Sequence, residues 1–159
     1  MDEILEILEK NGRRSAAEIA AMLGTGEAET AKAIAGYEAD GIITGYAALV
    51  NWEKTTSDRV TALIEVKVTP QRDRGFDRVA ERVYSYPEVK ACYLMSGGFD
   101  LAVIIEGASM KEVALFVAEK LATIDAVTST ATHFVLKKYK DKGVVFGPVR
   151  DDDREQVPV

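Results

Sequence analysis

Apolar residues recur at helical spacing through the first forty positions, then alternate with polar ones from residue 60 onward. The period changes from 3.6 to 2, so the pattern predicts helices first and a sheet afterwards. Ile4, Leu5 and Leu8 predict a helix over about 2–10, which Asn11-Gly12 ends. Ser15-Ala16-Ala17-Glu18 is a capping box opening a second helix, with Ile19, Met22 and Leu23 as its inner stripe and Gly24 as its stop. A third helix is expected from about Glu27 to Asp40, with Ile34 and Tyr37 facing in and Gly41 closing it. Two capped helices around a glycine-containing turn fit a helix-turn-helix. The apolar stretch Ile42 to Val50 then reads as a short strand pair or wing.

The second pattern is strand–helix–strand–strand–helix–strand. Val60, Ala62, Ile64, Val66 and Val68 alternate as one half-buried strand, which Pro70 stops. Phe76, Val79, Ala80, Val83 and Tyr84 make one helical stripe, ended before Pro87. Val89 to Ser96 and Phe99 to Glu106 read as strands joined by Gly97-Gly98, a hairpin signal. Ser109 and Glu112 form another capping box, and Met110, Val113, Ala114, Val117 and Leu121 line up behind it. Val127 to Leu136 is the last strand. The order βαββαβ predicts a four-stranded antiparallel sheet with both helices on one face, a ferredoxin-like arrangement. Strand parity puts Leu63, Leu94, Ile104 and Phe134 on the other face, and an uncovered apolar sheet face argues for a homodimer.

The fold class is therefore α+β. A winged helix-turn-helix over residues 1–50 is followed by a hinge at 51–59 and a ferredoxin-like domain at 60–140. Residues 141–159 form a C-terminal tail. The stretch from Lys137 to Val159 is basic first (Lys137, Lys138, Lys140, Lys142), carries a short strand candidate at Val144-Val145-Phe146, and ends in an acidic run from Asp151 to Glu155.

Charge sharpens the picture. Residues 1–58 hold eleven acids against five bases, whereas residues 59–159 hold fifteen of each. The half with a DNA-reading pattern thus carries the whole net charge of -6, although phosphate attraction supplies most non-specific DNA affinity. The start Met1-Asp2-Glu3-Ile4 has no signal-peptide character and no apolar run would span a bilayer, so the expected location is the cytoplasm, with no membrane partner. Cys92 is the one cysteine and His133 the one histidine. That pair offers neither a metal site nor a nucleophile–base couple, so no metal, cofactor or catalytic residue is expected.

The chain resembles the Lrp/AsnC family of leucine- and asparagine-responsive regulators. Gly41-Ile42-Ile43-Thr44-Gly45-Tyr46, Met95-Ser96-Gly97-Gly98-Phe99-Asp100-Leu101 and Thr130-Ala131-Thr132-His133-Phe134-Val135 carry the likeness, which runs from about Ile4 to Lys140. The resemblance implies a DNA-binding transcription regulator that dimerises through its sheet faces, can build octamers, and binds an amino acid between those domains. The implied ligand residues are Ser96, Gly97, Gly98, Asp100, Thr132, His133 and Phe134. Their chemistry suits a zwitterion: glycine N–H groups for a carboxylate, Asp100 for an ammonium, hydroxyls around them. The candidate DNA contacts are Arg13, Arg14 and Lys32.

The third helix departs from the family. Thr30-Ala31-Lys32-Ala33-Ile34-Ala35-Gly36-Tyr37 keeps one cation and no arginine, the usual reader of guanine edges. DNA is therefore expected to be a weak partner. The alternative is a ligand-sensing or protein-interaction module whose helix-turn-helix no longer reads DNA. A third reading, an enzyme similar to siroheme decarboxylases, lacks the basic, histidine-containing pocket such a substrate needs.

Overall fold

The computed structural model describes residues 3–69 and 75–147. Pro70 and the acidic run from Asp151 to Glu155, both read above, lie outside the described residues. The chain divides into two compact units, Met1–Val50 and Asn51–Val159.

The first unit is three helices: α1 (Glu3–Lys10), α2 (Ala16–Leu23) and α3 (Glu27–Ala39). The Ser15 hydroxyl accepts from the Glu18 N–H at 3.2 Å, and the Glu18 carboxylate accepts from the Ser15 N–H at 2.8 Å. That backbone bond, aided by Arg14 at 2.9 Å, holds the Glu18 carboxyl below its ordinary value. Gly24 ends α2 at φ 68°, where a side chain would be strained. Leu8, Ile19 and Ala20 form a small core with Thr30, whose hydroxyl shares a hydrogen bond with Thr25 at 2.9 Å. Ile34 and Tyr37 are half-buried. Met22 is not part of the stripe but 58% exposed, because three short helices cover only a narrow face and α2 fills it with Ile19, Ala20 and Leu23.

No wing strand forms. Ile42 to Val50 has no ladder partner, since the rest of the described unit is helix and turn and a strand needs a neighbour. Tyr46 turns back instead. Its ring packs where a Gly12 Cβ would sit 3.0 Å away, and its hydroxyl donates to Glu38 at 2.9 Å.

In the second unit, β1 (Val60–Val68), α4 (Asp77–Tyr84), β2 (Val89–Leu94), β3 (Leu101–Gly107), α5 (Met110–Phe116) and β4 (Val127–Phe134) follow in order. The strands form one antiparallel sheet in the order β2-β3-β1-β4. One face carries the core: Ala62, Ile64 and Val66 of β1, Leu101, Val103 and Ile105 of β3, Val79 and Val83 of α4, and Val113 and Phe116 of α5. α5 runs into a wider turn, Val117–Leu121, closed by the Ala122 N–H on the Val117 carbonyl at 2.8 Å. The buried stripe is Val113, Phe116, Val117 and Leu121. Phe116 and Val117 face in, whereas Met110 and Ala114 are exposed, as is Tyr84 at the end of α4.

One bulge and one pairing decide the other face. A register shift between Val89 and Ala91 puts Cys92 opposite Val103 and Leu94 opposite Leu101, on the helix side. Phe134 lies opposite Ala62 and packs against the core. Leu94 and Phe134 therefore do not belong to the open face, because each sits opposite a core residue. Leu63 and Ile104 do, directly opposite one another, joined by Tyr93 and Ala102 from the β2–β3 pair. Burial pushes the Cys92 thiol up, as expected for a packed, inert side chain.

A second small hairpin, β5 (Lys140–Asp141) with β6 (Val144–Val145), follows β4. The Asn51 amide donates to the Phe146 carbonyl at 3.2 Å, and the Arg59 guanidinium lies 3.6 Å from the Trp52 ring centre. Residues 51–59 and 141–147, read as hinge and tail, thus make contacts inside this unit.

Candidate functional site

The β2–β3 loop is wider than a two-residue turn. The Met95 N–H donates to the Asp100 carbonyl at 2.8 Å, leaving Ser96, Gly97, Gly98 and Phe99 to cross over. A two-residue Gly-Gly hairpin turn would put positive φ at these positions, but neither Gly97 nor Gly98 has it, because a four-residue loop turns without it. A Cβ at either glycine would meet nothing within 4 Å. The fold does not demand glycine here. The two residues leave their backbone N–H groups open to approach.

Asp100 is more than an edge carboxylate. Its Oδ2 accepts from the Val68 N–H at 2.8 Å, and its own N–H donates to the Val66 carbonyl at 3.0 Å. The loop is thereby tied to the end of β1, where the β1–β4 register shifts between Lys67 and Val68. β3 begins at Leu101, opposite Val66, so the ladder offers Val68 no strand carbonyl, and the carboxylate supplies the acceptor for its N–H. Ser96, Gly97 and Gly98 are exposed and Asp100 half-buried.

Thr132, His133 and Phe134 lie opposite Ile64, Leu63 and Ala62 on edge strand β4, further along β1 than Val66. One chain does not bring them to the loop. Thr132 and Phe134 face the helix side, and His133 alone of the three faces the open sheet. There its Nε2 sits 3.2 Å from Glu65 Oε1. Sequence reading missed Glu65. Its signal was a carboxylate at a polar position of an alternating strand, two residues from Leu63 on the same face.

The DNA candidates separate as well. Arg14 is engaged by Glu18, and the Arg13 N–H donates to the Asn11 side chain at 3.0 Å. Lys32 is exposed on α3, whose first turn carries Glu27 and Glu29.

A separate cleft of about 340 Å³ lies beside α5, lined by Glu88, Glu106, Lys111, Phe116 and Lys120 among others. Lys120 Nζ meets Glu88 Oε1 at 2.6 Å, which holds the Glu88 carboxyl below its ordinary value near 4.5. A depressed pKa adds stability above the unfolded value and loses it as pH falls through the folded one. Glu88→Gln is therefore expected to cost about 0.5–1 kcal/mol at pH 7. The difference from the parent protein should begin to shrink as pH falls below about 4.5 and disappear once pH is below the depressed value, in thermal melts. A difference that is independent of pH would assign the pair no electrostatic role.

Comparison with known proteins bears on all of these features. The sequence profile of the Lrp/AsnC ligand-binding domain matches residues 61–145. An uncharacterised HTH-type transcriptional regulator of Bacillus subtilis (strain 168) is 50% identical, covering 96% of this chain and 92% of its own. The HTH-type transcriptional regulator LrpA of Pyrococcus horikoshii is 32% identical, covering 86% and 94%. Among solved structures, a transcriptional regulator of Neisseria meningitidis in complex with L-Met superposes with a TM-score of 0.72. It is 26% identical over 89% of this chain and 93% of that one.

Proposed function

The chain belongs to the Lrp/AsnC family, and we propose that it is a DNA-binding transcription regulator responding to an amino acid or similar zwitterion. The carrying observation is the 50% identity, over nearly the full length, to an HTH-type regulator. The β2–β3 loop supports the ligand part. Open glycine N–H groups at Gly97 and Gly98 suit a carboxylate, and the second Asp100 oxygen suits an ammonium. The neisserial neighbour holds L-Met, in keeping with a ligand of this class.

The second unit is a ferredoxin-like domain in this reading. Two copies pair through the open faces around Leu63, Ile104 and Tyr93. Pairing brings residues of a facing β4, His133 foremost, within reach of sites that one chain leaves incomplete. The helix-turn-helix of the first unit contacts DNA through Lys32 and the Arg13–Arg14 turn.

A mobility shift on duplex DNA from upstream of the protein's own gene tests this, with and without each amino acid. Binding altered by one amino acid is expected. Lys32→Ala should weaken it about tenfold, as loss of one base-edge or phosphate contact does. Binding that ignores Lys32→Ala would remove α3 as the reading helix. No binding at low salt would favour the second reading, a sensing module with a degenerate helix-turn-helix, which the acidic first unit supports.

A further inference from the structure

The four lysines of residues 137–142 have no role in the site above, although they stand against a single aspartate in a protein of net charge -6. The fold displays them in a particular way. β5 and β6 pair Lys140 with Val145 and Asp141 with Val144, so Lys142 and Gly143 are the whole connection. Their φ values are 44° and 82°, the turn type that matches the twist of paired strands. Among the described residues Lys142 is the one non-glycine with positive φ. That position ordinarily goes to Asn, Asp or Gly, so a lysine there sits at a backbone cost no packing requires. It places a cation at the tip of a tight hairpin.

The rest of the hairpin fits the same use. Lys138 is held inward, 3.4 Å from Asp141 and 5.6 Å above the Phe146 ring. Lys137, Lys140 and Lys142 are exposed. Tyr139 is 70% exposed beneath the Lys137 ammonium at 5.0 Å. Exposed lysines alternating with an exposed aromatic ring on a short rigid ribbon suit a polyanionic backbone.

We propose that the β5–β6 hairpin is a DNA-phosphate contact surface, supplying through Lys137, Lys140 and Lys142 the backbone attraction that the acidic helical unit lacks. This rests on the regulator reading above. The phosphate charge requires no base sequence, so the hairpin sets affinity and salt dependence and leaves discrimination to α3.

The test uses the full-length chain and two fluorescein-labelled duplexes, one from upstream of its own gene and one of random sequence. Anisotropy is read across 50–200 mM KCl, a range over which phosphate contacts separate clearly. Each phosphate contact contributes about -0.9 to the slope of log K against log salt, so K137Q/K140Q/K142Q is expected to flatten the slope by about two to three on both duplexes. Lys142→Asn guards against a purely structural role. It relaxes the turn and should keep or raise the melting temperature while flattening the slope by about one. Parent protein that binds while both variants keep its slope overturns the hairpin assignment alone. So does a slope change in Lys142→Asn that comes with a lowered melting temperature. Parent protein that binds neither duplex at 50 mM salt overturns the regulator reading together with this one.

Discussion

Leu63→Arg is expected to turn a dimer into a monomer of 17.3 kDa without unfolding it. Leu63 lies directly opposite Ile104 on the sheet face away from the helices, and its neighbours Ala62 and Ile64 carry the core contacts instead. Arginine can therefore replace it with the core intact. Across a pairing of two such faces, a guanidinium would be buried on both sides of the symmetry axis, with the nearest carboxylate, Glu65, already held by His133. An uncompensated buried charge costs about 3–5 kcal/mol, which weakens association at least a hundredfold. Sedimentation equilibrium at micromolar concentration reads this directly, with the melting temperature as the control for folding. A variant that sediments as the parent does would place the subunit interface elsewhere. The Glu65–His133 pair on the same face would then be an ordinary surface contact.

The second large effect separates the two roles of Asp100. Asp100→Ala removes the acceptor for the Val68 N–H and leaves that group orphaned past the end of the β1–β3 ladder. The expected loss is about 1–3 kcal/mol of stability, the cost of an unmet buried donor. Asp100→Asn keeps an acceptor oxygen and removes only the charge. It should melt close to the parent protein, yet bind an amino-acid effector about ten- to a hundredfold more weakly in calorimetry, since bonds to a charged group carry about 1.5–3 kcal/mol. If Asn matches the parent in both measurements, the ammonium subsite is not at Asp100. The carboxylate would then serve the strand alone.

Much of the architecture was legible along the chain because it rests on local rules. The capping box at Ser15 and Glu18 and the stops at Gly24 and Gly41 need only neighbours three to five residues away. The clean alternation from Val60 to Val68 needs only one buried face. Local rules also read Leu63 and Ile104 correctly, since no bulge separates them from the core positions that set their parity. They failed at Leu94 and Phe134, because the facing of each depends on what lies across the ladder. The shift near Val89 turned Leu94 over, and the pairing of Phe134 with Ala62 is visible only when two distant segments meet.

The candidate site divides along the same line. Sequence alone determined which groups are available: the Gly97-Gly98 loop, one aspartate after it, one histidine near the end of the last strand, and a helix with one lysine. It also determined the charge imbalance between the two halves, because charge is a sum over residues and needs no coordinates. Only the tertiary structure decided what those groups are committed to. Asp100 is half spent on Val68, His133 faces Glu65, and Thr132 and Phe134 turn toward the helices. Ile42 to Val50 stays unpaired because the described helical unit offers it no strand, whereas Val144–Val145 finds one in Lys140–Asp141. Composition and period are properties of a segment. Pairing, facing and hydrogen-bond commitment are properties of two segments brought together, and these are fixed when the chain closes on itself.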